Sequence, residues 1–256
     1  MTHNEPTPAL HVGLFITCLT NFNRPNIGFA SVKLLQDAGC KVSIPQDQTC
    51  CGQPNYNSGD RQSAQNIAMA QIALLEPYDY VVAPSGSCAG MIARHYPRLF
   101  ADDTQWGPRA EALANKTFEI TQFLTSVCRQ TTTNATYHGL VVLHDSCSGL
   151  RELGVKHAPR KLLNAVDGLT LVELQTPEAC CGFGGTFCVK YPDISNVMVT
   201  RKIDDVIASG ATTLSAGDWG CLMNMAGKLH RMGHNMHVFH VTEILANMAK
   251  QKAPHA

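Results

Sequence analysis

Three features of this 256-residue chain predict an α/β protein made of two duplicated halves. Short β-rich runs alternate with longer runs of helical period, the pattern of strand–helix–strand units whose strands pair in parallel. A cysteine pattern occurs twice: Cys18, Cys50, Cys51 and Cys88 recur as Cys147, Cys180, Cys181 and Cys221, a shift of 129 to 133 residues. The sequence around them repeats as well. "VKLLQDAGCKVSIPQDQTCCG" lies against "RKLLNAVDGLTLVELQTPEACCG", and "TFEITQFL" against "VFHVTEIL". Each half is expected to be Rossmann-like, a mainly parallel sheet of about four strands flanked by helices, with a pseudo-twofold relating the two. The expected boundaries are a first repeat over 11–134 and a second over 135–250, with flexible arms at 1–10 and 251–256.

Taken in order, the strands of the first half are expected near 11–17, 41–44, 79–83 and 117–120, and those of the second near 140–145, 169–174, 211–215 and 237–241. "RQSAQNIAMAQIALL" (Arg61 to Leu75) carries the clearest helical spacing, and "SNVMVTRKIDDVIAS" (Ser195 to Ser209) holds the matching place. The halves differ in length. Cys88 to Thr121 is 33 residues, but Cys221 to Thr242 is only 21, so the first copy carries about 12 extra residues. They are expected around "ADDTQWGPRAEA" as a long surface loop.

With 45% hydrophobic residues the chain can bury a substantial core. Twenty basic residues balance twenty acidic ones and no block of like charge appears, so no nucleic-acid or anionic-membrane partner is expected. The longest apolar runs fall short of the ~20 residues of a membrane span. The start "MTHNEPTPALH" lacks the basic and apolar regions of a secretory signal, so the cytoplasm is the expected compartment. There structural disulfides are rare, and eleven cysteines point to metal binding or redox chemistry. The adjacent pairs Cys50–Cys51 and Cys180–Cys181 sharpen this, because neighbours bridge each other only through a strained small ring.

On the expected strands, Cys18, Cys88, Cys147 and Cys221 fall just past strand ends, and each vicinal pair lies in a strand-to-helix loop. Sites in open α/β sheets form beyond the carboxyl ends of strands, so four thiolates would converge in each half. Such a set suits tetrahedral zinc or an iron–sulfur cluster. Spacings of C-x31-CC-x36-C and C-x32-CC-x39-C lack the close CxxC pairs of local zinc modules, which favours a multi-atom cluster in up to one site per repeat, with zinc the alternative at one or both. Gly52 and Gly182 either let the backbone approach the bound group or simply make the turn. Gly184 and Gly185, in "GFGGTF", offer an anion-binding nest for a carboxylate or cluster edge, against the alternative of a flexible loop. His144 and Asp145, just before Cys147, are the candidate catalytic residues, with a structural histidine as the alternative. Cys40, Cys128 and Cys188 have no counterpart in the other copy and read as small hydrophobes. The late histidines, His230, His234, His237 and His240, have no carboxylate or cysteine at ligand spacing, and "HVFH" reads as a strand with alternating outward positions. No nucleotide or flavin fingerprint is present.

The motifs "CCGQPNYNSG", "PSGSC", "CCGFGGTF" and "VTEIL", spread over nearly the whole chain, resemble the cysteine-rich CCG-domain family. That family includes the cysteine-rich component of heterodisulfide reductase, the iron–sulfur component of glycolate oxidase and the corresponding component of anaerobic glycerol-3-phosphate dehydrogenase. The resemblance is strongest to its lactate-utilization branch. It implies an iron–sulfur electron-transfer subunit of a three-part system oxidising L-lactate to pyruvate, alongside a ferredoxin-like iron–sulfur subunit and a third lactate-utilization subunit. The small 2-hydroxy acid would be bound at the level of the complex. The fuller family pattern ends each copy in CxxC, giving five cysteines and, in heterodisulfide reductase, a noncubane 4Fe–4S arrangement. Here Ser85 and Asp218 stand at the penultimate positions. Four cysteines per copy suffice for an ordinary 4Fe–4S cluster, which weakens a heterodisulfide reductase-like thiol–disulfide role. Ser85 and Asp218 are then oxygen ligands, hydrogen-bonding supports or spectators, with support ranked first. A zinc-stabilised interaction module is the competing reading of the whole chain. For an electron acceptor, the uncharged loops around Cys88, Cys181 and Cys221 are the expected contact surface.

Overall fold

The computed structural model describes residues 9–250, so most of both expected arms lies outside the described residues. The first sheet is formed by β1 (His11–Leu14), β2 (Lys41–Ser43), β3 (Tyr80–Ala83) and β4 (Thr117–Glu119), in the order β2-β1-β3-β4. The second repeats that order with β5 (Thr136–His144), β6 (Asp167–Val172), β7 (Thr213–Ala216) and β8 (His237–His240), as β6-β5-β7-β8. Every pairing is parallel, Val12 facing Val42 and Tyr80 in one sheet as Val141 faces Leu171 and Thr213 in the other. Val81, Val82 and Ala83 of β3 and all four residues of β7 are buried, as a central parallel strand covered on both faces requires. The fold is the duplicated α/β architecture expected.

The helices follow the same repetition. In the first half they are α1 (Cys18–Asn23), α2 (Asn26–Asp37), α3 (Gln53–Asn57), α4 (Arg61–Leu75), α5 (Gly86–Gly90), α6 (Tyr96–Leu99), α7 (Trp106–Asn115) and α8 (Ile120–Ser126). In the second they are α9 (Cys147–Leu153), α10 (His157–Leu163), α11 (Phe187–Lys190), α12 (Pro192–Ala208), α13 (Trp219–Arg231) and α14 (Val241–Leu245). The halves meet through reciprocal pairs: α5 packs on α9 and α1 on α13, while α2 packs on α14 and α8 on α10. Reciprocity of this kind is what a pseudo-twofold produces. The α5–α9 crossing is close enough that a Cβ on Gly86 would lie 2.7 Å from the Cα of Gly149, so glycine is needed there. A central apolar core is shared by both halves, with Leu34, Phe123, Val141, Leu162 and Ile244 among its members, and each half keeps an outer core of its own.

The extra segment of the first half is not the surface loop expected. Its latter part is α7, whose Ala110 and Leu113 are fully buried while Trp106 joins the first outer core. The Asp103 carboxylate accepts from the amides of Gln105 and Trp106 (2.9 and 2.8 Å) and starts the helix, a capping role its loop-like neighbours conceal. Upstream, a π-helical turn at Met91–His95 joins α5 to α6 and brings the fully buried Tyr96 beneath the first vicinal pair. The outward-facing reading of "HVFH" also needs correction, because His240 is fully buried as the N-cap of α14. Among the described residues no helix is long and apolar enough to cross a membrane.

Candidate metal centres

The order β2-β1-β3-β4 places the reversal of winding between β1 and β3, where a crevice opens beyond the carboxyl ends of the strands. Cys18 begins the helix after β1, and Cys88 lies in the helix after β3. The loop after β2 brings Cys50 and Cys51 between them. Cys51 Sγ lies 3.4 Å from Cys88 Sγ, and Cys50 is in hydrogen-bonding contact with both Cys18 and Cys51. The second half repeats the arrangement, with thiol contacts running from Cys147 to Cys180, Cys181 and Cys221. All eight predicted cysteines are thus gathered into two sets of four, and none is in a disulfide.

Each set is built to hold negative charge on the first cysteine of its pair. Hydrogen bonds from Cys18 and Cys51 pull the Cys50 thiol down to about 2, and those from Cys147 and Cys181 do the same for Cys180, also to about 2. The donors shift the other way: contact with Cys50 and burial push Cys18 up, and contact with Cys180 and burial push Cys147 up. Backbone amides add to the effect, with Gly182 N donating to Cys180 Sγ at 3.3 Å and Gly52 N contributing to Cys50 in the same way. Gly52 and Gly182 have φ of +83° and +80°, the left-handed turn that aims these amides at sulfur. Four convergent thiols with a stabilised thiolate fit a soft metal or an iron–sulfur group, because such ligands bind deprotonated. Gly184 and Gly185 are also left-handed, at +52° and +63°, and the Gly185 carbonyl accepts from the Cys188 thiol at 3.2 Å.

Ser85 and Asp218 meet each other across the pseudo-twofold. Ser85 Oγ and the amide of Ser87 both donate to Asp218 Oδ2 at 3.0 Å, while Asp218 Oδ1 accepts from Gly220 N at 3.2 Å at the start of α13. Ser85 caps α5 by accepting from Cys88 N at 3.4 Å. The two residues standing at the absent cysteines' positions therefore tie together the helices that carry Cys88 and Cys221. His144 is 1% exposed, and neither ring nitrogen has a hydrogen-bond partner. Burial holds it neutral, pulling its pKa down to about 3. Asp145 is differently placed, with both carboxylate oxygens gripped by Arg160 at 2.7 and 2.8 Å. It is a fixed, paired anion.

Several residues at the centres escaped the sequence reading. Tyr96 Oη donates to the Cys51 carbonyl and Asn224 Nδ2 to the Cys181 carbonyl, both at 2.9 Å, pinning the vicinal pairs from the helices that follow β3 and β7. Asn224, one helical turn after Cys221, was open to discovery by its i+3 spacing; Tyr96 was hidden by the π-turn. Lys202 is 1% exposed beside the second set and donates to the carbonyls of Thr176 and Pro177 (2.8 and 3.1 Å). Its counterpart in α4 is the neutral Gln71, whose Nε2 donates to Thr49 Oγ1 at 3.0 Å. The unmatched Cys40 and Cys128 lie 3.9 Å apart, away from both sets. Within the sets Cys88, Cys181 and Cys221 are buried, and solvent reaches Cys18 and, in part, Cys50, Cys147 and Cys180.

Two thiol-rich centres on duplicated α/β halves define a class of cysteine-rich, two-centre protein. The chain belongs to the CCG cysteine-rich domain family, whose model matches residues 12–93 and 141–226, once per half. It is 49% identical over 243 residues to lactate utilization protein A of an Exiguobacterium species, covering 94% of this chain and 99% of that one. With lactate utilization protein A of Bacillus cytotoxicus it shares 45% identity over 236 residues, covering 92% and 98%. Among solved structures, a hypothetical protein from Helicobacter pylori superposes with a TM-score of 0.68 at 11% identity, a likeness of fold. That match covers 96% of this chain and half of the Helicobacter chain.

Proposed function

We propose that this chain is an iron–sulfur electron-transfer subunit of a multi-subunit system that oxidises L-lactate to pyruvate, with one cluster in each half. The observation that carries the reading is the convergence of four cysteines on each switch-point crevice, each set able to keep a thiolate ready for metal. The lactate assignment draws on the relatives named lactate utilization protein A, which match almost end to end. When bound, such clusters accept and release electrons one at a time. The protein's own residues do the rest. Cys18, Cys50, Cys51 and Cys88 would hold one cluster, and Cys147, Cys180, Cys181 and Cys221 the other. Tyr96 and Asn224 fix the vicinal pairs, the buried faces of the crevices exclude water, and the Ser85–Asp218 contact sets the separation of the two centres.

Oxidation of lactate removes two electrons and two protons. Asp145, two residues before Cys147, is committed to Arg160, which disfavours it as the base. Proton abstraction is accordingly assigned to a partner, and this chain carries electrons between the lactate-binding subunit and a ferredoxin-like iron–sulfur subunit. The partially exposed edges at Cys18 and Cys50 and at Cys147 and Cys180 are the points of exchange. A single-ion zinc site is the second reading, favoured at the second centre by donor atoms of His144, Cys181 and Cys221 lying within 4.8 Å of one another. The test is reconstitution. The isolated chain should show negligible L-lactate oxidation with an artificial electron acceptor, the three-protein set should restore it, and Cys181→Ser should abolish the restored rate. Robust turnover by this chain alone would overturn the assignment of roles.

A further inference from the structure

The two centres are not chemically equivalent, and the difference lies at one strand position. Counting back three residues from Cys18 and from Cys147 reaches Phe15 in the first half and His144 in the second. Phe15 is fully buried and packs in the same apolar core as Cys51 and Cys88. His144 fills the matching place, 1% exposed, with donor atoms of His144, Cys181 and Cys221 all within 4.8 Å of one another. A buried imidazole with both nitrogens unpartnered carries a desolvation cost that a phenyl ring in the same slot avoids. Something at the second centre must repay that cost.

We propose that His144 is a metal ligand of the second centre, its imidazole taking a place among the donors beside Cys181 and Cys221, while the first centre is held by sulfur alone. The proposal rests on reading the cysteine sets as metal centres and adds a donor that the cysteine pattern does not contain. One ring nitrogen faces the thiols. Beside the imidazole lies a small cavity of about 20 Å³ whose lining includes His144, Glu119, Thr121 and Gly217, room for a single water. Glu119 Oε1 is itself buried and unpartnered, and a water in that cavity would have both this carboxyl group and the imidazole in its lining. Carboxylate support of this kind is the usual setting of a ligating histidine, fixing its ring and its tautomer. The first centre has neither the imidazole nor a use for such a cavity.

The experiment uses full-length protein reconstituted anaerobically with ferrous iron and sulfide, unlabelled or with ¹⁵N-histidine, and reduced for pulsed electron paramagnetic resonance. Wild type should show a nitrogen hyperfine coupling that changes with the isotope, and His144→Phe, which copies the first centre, should lose it while keeping the circular dichroism of the wild type. His144→Gly should regain the coupling when free imidazole is added. A metal-loaded wild type with no isotope-sensitive coupling, or a coupling that persists in His144→Phe, would overturn the ligand assignment and leave the metal centres standing. Wild type that binds no metal would overturn both. If the protein takes zinc alone, absorption at the zinc edge decides: a nitrogen donor lost in His144→Phe supports the proposal, and sulfur-only coordination refutes it.

Discussion

Removing the Asp218 carboxylate separates a structural strut from a metal ligand. In Asp218→Ala three donors lose their acceptor: Ser85 Oγ and Ser87 N at 3.0 Å and Gly220 N at 3.2 Å. Ser85 and Asp218 are 3% and 5% exposed, so water replaces the lost contacts poorly. Loss of the α13 cap costs about 1 kcal/mol. Each buried donor left unsatisfied costs about 1–3 kcal/mol; one full penalty applies, at Ser87 N, because the Ser85 hydroxyl can turn to Ser87 Oγ, 3.0 Å away. The expected total is roughly 3 kcal/mol. Ser85→Ala alone should cost roughly 1 kcal/mol, and the double variant should show a coupling of about 1 kcal/mol, since the two side chains share one hydrogen bond. Urea unfolding gives the three stabilities, and metal analysis of each folded variant gives the second readout. Metal content should be retained in both single variants. Costs that add without coupling, or loss of metal from folded Asp218→Ala, would refute the strut and return Asp218 to the ligand set.

Other predictions concern charge and backbone around the centres. Burial pushes Glu119 up to about 7 from an ordinary value of 4.5. An acid raised in this way loses folded-state stability as pH climbs through the window from about 4.5 to 7, by up to about 3 kcal/mol. Glu119→Gln should remove that slope, so the stability difference between variant and wild type must grow in the variant's favour from about pH 4.5 to about 7.5; a constant difference contradicts the burial argument. Gly182→Ala should destabilise more than Gly52→Ala: both turns are left-handed, costing about 1–2 kcal/mol, but the new Cβ would lie 2.8 Å from the Ser195 carbonyl oxygen in one case and 3.3 Å from the flexible Ile67 side chain in the other. Equal chemical-denaturation midpoints would count against it. Lys202→Gln, which copies Gln71, should lower the reduction potential of the second centre only, by on the order of 1–2 kcal/mol of lost charge stabilisation; a redox titration showing no change would remove the electrostatic difference between halves.

What could be read from the sequence, and what could not, divides by the range of the interactions. The eight cysteines, the parallel sheet of about four strands in each half and the duplication were legible because the pattern occurs twice. Helix α7 was not, because Asp103, Gly107 and Pro108 carry loop chemistry whose capping role appears only with the helix in place. Tyr96 reaches Cys51 across 45 residues after a π-turn that no periodicity announces. Ser85 and Asp218 are 133 residues apart, one repeat shift, and a residue close to a twofold axis meets its own counterpart. The departure from CxxC was visible in the sequence, but not that the two substitutes bind each other. The contrast of His144 and Lys202 with Phe15 and Gln71 was likewise written in the repeat, yet only burial gives it meaning.

The central claim is that the chain carries two independent metal centres, one per half, and elemental analysis of anaerobically purified protein tests it most directly. Iron, acid-labile sulfide and zinc would be measured in wild type, Cys50→Ala and Cys180→Ala, with each variant first shown to be folded. The account predicts about four irons and four sulfides per centre in wild type, and loss of one centre's complement in each single variant with the other intact. Metal-free wild type, or variants whose metal content equals that of wild type, would contradict it.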